Sequence, residues 1–147
     1  MNALDLGSLL ADASQGGAYF VAESDTAAIT EAGAALGYVM ARVDLAGCVD
    51  VSTLFARFAR ALRFPEWFGH NWDALADSLG DLSWLPGSGY VLLIENASGW
   101  RAAAGDDAAI LLAILNDAAA TWAAQGVAFW ALLPLPAVEL DALDPHA

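Results

Sequence analysis

Apolar residues along this chain fall into two patterns: short near-continuous runs, and longer stretches that repeat every three or four positions. Residues 90–95 (YVLLIE) and 127–133 (VAFWALL) are apolar at almost every step, which predicts strands covered on both faces. Residues 38–45 (YVMARVDL) alternate loosely and are rich in β-formers, so they read as a third strand, and 19–22 as a short edge strand. Between them lie helical repeats. Ser24 or Asp25 can cap a helix through Ile29 and Leu36 that Gly37 ends. Asp50 or Ser52 opens a helix whose Leu54, Phe55, Phe58 and Leu62 share one face, and Pro65 excludes helical geometry at Phe64. Further helices are predicted from about Asn71 to Leu79 and from about Asp106 to Ala124, with turn-rich sequence at 80–89 between the first of these and the third strand. Strand–helix alternation of this kind predicts an α/β fold with a small parallel sheet. Residues 1–17 read as a flexible N-terminus, 18–133 as a single domain, and 134–147, after Pro134, as a loose acidic tail.

Composition narrows what such a domain can do. At 147 residues and 59% hydrophobic, the chain suits one domain with a substantial core. Its 18 acids face five Lys+Arg, all of them Arg, for a net charge of −13. That surface repels phosphate backbones and anionic membranes, so direct nucleic-acid or membrane binding is not expected, whereas basic partners are favoured. Cys48 is the sole cysteine, and no basic start with an apolar stretch marks a signal peptide. With no apolar run near the length of a membrane span, the expectation is a cytosolic protein.

Enzyme signatures are scarce. Cys48 has no nearby His to activate it, GSG at 87–89 lacks the other glycines of a dinucleotide loop, and no phosphate-loop Lys exists. His70, Asp73 and Asp77 could converge on a metal, but no second His or Cys stands near them, and neither a metal nor any other cofactor is expected. What does stand out is FPEWFGHNWDALADSLG, residues 64–80. With Asn71 as the helix cap, Trp72, Leu75, Ala76 and Leu79 form an inward stripe. Asp73 and Asp77 project from another face, with Asp81 continuing their line. Asp73 in the first turn complements the helix dipole, but Asp77 adds only repulsion, about 0.2–0.5 kcal/mol for like charges four apart. Of Trp67 and Phe68 just before them, one suits the core and the other an exposed contact.

This stretch resembles the signature of the barstar family: an aromatic-rich Pro–acid–aromatic–aromatic–Gly turn, then Asn–x–Asp–Ala–Leu–x–Asp. The resemblance covers about residues 38–133 and extends to the order of elements. It implies a parallel three-stranded sheet with helices packed against it, here with an additional N-terminal strand and helix. It also implies a non-enzymatic intracellular inhibitor of a basic ribonuclease, whose helix carboxylates occupy the phosphate positions of the nuclease site; an acidic module for another basic protein is the alternative. By the same resemblance Asp73 and Asp77 are the inhibitory carboxylates, Trp67 an aromatic contact, and Asp117 a further acidic contact on the long helix. Gly69 and Asn71 match the turn. Two positions depart from the pattern: Ala76 stands where a contacting Trp is found, and His70 where an acid is found.

Overall fold

The computed structural model describes residues 3–143. Its four strands, β1 (Gly17–Ala22), β2 (Val39–Asp44), β3 (Gly89–Glu95) and β4 (Ala128–Leu135), form one parallel sheet in the order β1-β4-β3-β2. The two near-continuous apolar runs are the two central strands, and their two-residue period explains why every side chain must be apolar. Leu92, Ile94, Phe129, Ala131 and Leu133 point to one face of the sheet, while Val91, Leu93, Ala128, Trp130 and Leu132 point to the other.

Helices cover the two faces unequally. The larger core takes α3 (Val51–Ala61), α4 (Trp72–Asp81), α5 (Ala97–Ala104) and α6 (Asp106–Ala123), which bring in Leu54, Phe58, Leu75, Leu79, Trp100, Leu111 and Leu115. The smaller core is closed by α1 (Ala3–Ala11) through Leu10 and by α2 (Thr26–Ala35) through Ile29 and Ala32. Cys48 is buried in the larger core, where desolvation pushes its thiol pKa up and keeps it unreactive.

Local signals set the helix ends. Asp50 caps α3 by accepting from the Thr53 N–H at 2.7 Å. The far end of α3 turns on Arg63 at φ 55°, and the Phe64 N–H donates back to the Ala59 carbonyl at 2.9 Å. The end of α2 has the same geometry with Gly37 in the left-handed position, at φ 73°.

Three features depart from the sequence reading. The supposedly flexible N-terminus holds α1 and a 3-10 turn at Ala13–Gln15, because Leu6 and Leu10 have sheet and α2 surface to cover. The additional N-terminal strand, by contrast, is present as expected: it joins the same sheet beside β4, its Ala18 N–H held by Asn116 Oδ1 of α6 at 2.9 Å. Strand β4 continues through Pro134 to Leu135, and a short helix, α7 (Ala137–Ala142), follows where a loose tail was expected. That helix is fastened by Glu139, which accepts from Ser98 Oγ at 2.6 Å and pairs with Arg101 at 2.7 Å; residues 144–147 of the expected tail lie outside the described residues. Finally α5 was not expected: Asn96, at φ 56°, stands at the cap position but turns its side chain to Asp44 Oδ1 at 2.7 Å and caps no N–H, and the burial of Ala97 and Trp100 holds the helix in place.

Candidate interaction face on α4

The loop from Leu62 to Asn71 decides which way α4 presents its charges. Arg63 and His70, both in the left-handed region, bracket it, and a turn closed by the Phe68 N–H on the Pro65 carbonyl at 3.0 Å fills the middle. Phe68 is driven inward onto Phe64 and Phe55, with ring centroids 4.8 and 6.4 Å away. Trp67, its neighbour, is turned out and 70% exposed. An indole this open normally loses order, yet Trp67 meets the ring of Trp84 edge-on at 6.1 Å. Trp84 is itself fixed by a 3.0 Å bond from its Nε1 to the Leu62 carbonyl and by Phe64 at 5.8 Å. The support from Trp84 was not visible in sequence; SWLPG at 83–87 showed only that apolar residues fold back over the core.

Asn71 starts α4 as its residue type predicts. Its Oδ1 accepts from the Ala74 N–H at 2.7 Å, and its Nδ2 donates to the Gly69 carbonyl at 3.2 Å. Gly69 is thus tied to the helix start. His70 turns its ring onto Phe68, with Nδ1 3.0 Å from the Phe68 carbonyl. A carbonyl only accepts, so Nδ1 carries the proton and Nε2 is left for a partner.

The inward stripe of α4 consists of Leu75, Ser78 and Leu79, all buried. Trp72 lies half-buried with its ring edge-on to Phe55 at 5.0 Å, and Ala76 is half-buried, so the expected place of Ala76 in that stripe belongs to Ser78. Asp73, Asp77 and Asp81 are exposed. A step of four residues turns about 40° past a full circle, so the three carboxylates form a slowly drifting row along one side. Helix α4 contains no Lys, Arg or His. Among the described residues, the ion pairs are Arg42–Glu95 and Arg101–Glu139, and neither Asp73 nor Asp77 receives a side-chain hydrogen bond or a cation. Asp81 accepts a hydrogen bond from Ser83 Oγ at 3.3 Å, whereas Asp73 and Asp77 stand in water with no side-chain partner among the described residues.

Asp117 lies exposed on α6, which packs along α4. Thr121, one turn further on, lies at van der Waals distance from where a Cβ on Gly80 would stand, 3.9 Å, and the Trp122 Nε1 donates to the Leu79 carbonyl at 2.8 Å. The structure therefore gathers Trp67, Gly69, His70, Asn71, Asp73, Ala76 and Asp77 on one loop and helix and sets Asp117 on the neighbouring helix. Among the described residues no group of three or more His, Cys, Asp or Glu is placed to hold a metal ion, and no helix is long and apolar enough to cross a membrane.

The protein is thus a parallel α/β domain that carries an exposed, loop-held aromatic and the exposed carboxylates of Asp73 and Asp77 on one loop and helix. The chain belongs to the barstar family: the family model for Barstar (barnase inhibitor) matches residues 38–134. Members of that family are inhibitors, not enzymes, and membership implies binding to a protein partner. No curated protein matches the chain in sequence. In three dimensions it is similar to a chain in the structure of Drosophila ORC bound to DNA, with a TM-score of 0.52 and 18% identity. That likeness covers 92% of this chain and 37% of the other, so this chain spans little more than a third of its neighbour's length; at such identity the likeness concerns the fold alone.

Proposed function

We propose that this protein is a cytosolic inhibitor of a basic ribonuclease, which it blocks by laying α4 across the nuclease active site. Asp73 and Asp77 take the places of RNA phosphates, and the nuclease's own cations close around them. Trp67 supplies an aromatic contact beside them, Gly69 and Asn71 hold the turn, and Asp117 adds a second acidic contact from α6. His70 and Ala76 sit at the rim and centre of the same surface, where they tune which nuclease fits. Inhibition is steric and electrostatic, with no bond made or broken and no cofactor needed. The observation that carries this reading is the pair of exposed carboxylates on α4, Asp73 and Asp77, which have no side-chain partner among the described residues and lie within the segment that matches the family. A net charge of −13 supports it by favouring rapid encounter with a cationic target.

One observation favours a second reading, an acidic module that binds another basic protein. Ala76 offers a single methyl at the centre of the surface, and large aromatic anchors are what commonly dominate binding energy at such places. Capture of the partner from the producing cell, followed by a ribonuclease assay with and without the protein, separates the two. Ribonuclease activity that falls as the protein is titrated in supports inhibition. A captured basic protein with no ribonuclease activity supports the module and overturns inhibition.

A further inference from the structure

On the sheet face away from α4, the N-terminal elements leave a cavity of about 370 Å³. Leu6 and Leu10 of α1, Val21 of β1, Ile29 of α2, and Trp130 and Leu132 of β4 form its walls. Apart from these two β4 residues, that wall comes from the segment before residue 38, outside the family match.

Two of the polar groups in the wall are committed to the protein, and the exposed Gln15 adds an amide at the rim. Trp130 Nε1 donates to the Leu10 carbonyl at 3.0 Å, and the Tyr19 hydroxyl donates to the Gln15 carbonyl at 2.6 Å. Water inside such a space has few partners, so an apolar occupant gains by displacing it. The mouth is different. Asp25 lines the cavity from the position just before α2, yet its side chain caps no N–H there and forms no ion pair or hydrogen bond among the described residues. Tyr19, 44% exposed, leans on Trp130 at 5.6 Å and keeps the entrance apolar beside that carboxylate.

We infer that this cavity binds a small amphiphile with an apolar body and a cationic head, such as an aliphatic amine, whose ammonium group pairs with Asp25. Size and charge both point to that class. A cavity of about 150 Å³ holds a benzene ring, so this one has room for roughly a dozen non-hydrogen atoms. A carboxylate or phosphate head would meet Asp25 and the acidic surface with like charge. The site lies across the sheet from α4, so it stands or falls independently of ribonuclease inhibition.

The test compares n-nonylamine, 1-nonanol and nonanoate, all below their aggregation concentrations, by following the Trp130 indole N–H resonance of the full chain. The expected result is a saturable shift with the amine binding tightest, about two- to fivefold tighter than the alcohol, the worth of an exposed ion pair, and with nonanoate weakest. Asp25→Asn is expected to bring the amine down to the alcohol's affinity. Ala28→Trp, which fills the cavity from α2, should abolish the shift, and Ala28→Leu replaces it if the larger side chain disturbs the fold. An unmoved Trp130, a different order of affinities, an amine preference that survives Asp25→Asn, or a shift that survives filling would each overturn the proposal.

Discussion

Replacing Asp77 by Ala separates a carboxylate that binds from one that is merely solvated, because the two roles predict opposite signs. Within the free protein Asp77 has like charges four residues away on both sides, Asp73 and Asp81, and no cation on its helix. Each such pair opposes the helix by about 0.2–0.5 kcal/mol, and Ala is a better helix former than Asp by up to about 0.7 kcal/mol. Asp77→Ala should therefore stabilise the free chain by about 0.5–1.5 kcal/mol, or roughly 2–5 °C in Tm for a domain of this size. In the complex the sign reverses. Truncating one member of a desolvated charge pair strands the partner's cations, a loss of about 2–5 kcal/mol, or roughly thirty- to several-thousandfold in affinity. That range comes from buried charge pairs in general, the barstar family's own complex among them, and is carried over to Asp77. Thermal unfolding of the free chain and inhibition of the captured nuclease are the two assays. A higher Tm with inhibition lost supports the role given to Asp77. A higher Tm with inhibition intact refutes it, leaving the fold but not the phosphate mimicry.

Three more outcomes are expected. Raising salt from low to physiological ionic strength should slow association much more than it speeds dissociation; stopped-flow rates that stay flat would mean the acidic face serves solubility alone. Arg63→Gly should raise stability by up to about 1 kcal/mol in denaturant unfolding, because Arg63 is exposed and occupies the left-handed position that closes α3, where glycine is favoured. Asp50 accepts the Thr53 N–H at the start of α3, which holds its carboxyl below the usual value of 3.8. A depressed folded pKa gives stability that is present above the unfolded value and is lost as pH falls through the folded one, so Asp50→Asn should flatten the loss of stability below about pH 4.

The strands were the most legible part of the chain, because burial on both faces leaves β3 and β4 no polar position to break their runs. The start of α4 was equally plain, since an Asn cap and a first-turn Asp are local chemistry that no distant contact needs to supply. The outward turn of Trp67 and inward turn of Phe68 followed from having two large aromatics and one core to fill, but which went where required the fold. Helices α1 and α5 were missed because both hold a glycine within a short segment, and distant surfaces, not their own propensity, make them helical. Pro134 misled in the other direction. It lies in β4 opposite Val21 of β1, so a residue that usually ends a strand sits inside one.

That pairing of β1 with β4 has a consequence for solubility. Without β1, β4 would be an outer strand of eight apolar residues, AFWALLPL, offering unpaired N–H and C=O groups along its length. Such an edge templates the addition of further chains, and Pro134 alone would stand as a gatekeeper against it. The N-terminal strand acts as a guard rail for the family-matched segment. A chain shortened to begin at residue 38 is expected to scatter light and pellet at concentrations where the full chain stays clear, even with every residue of the α4 face intact.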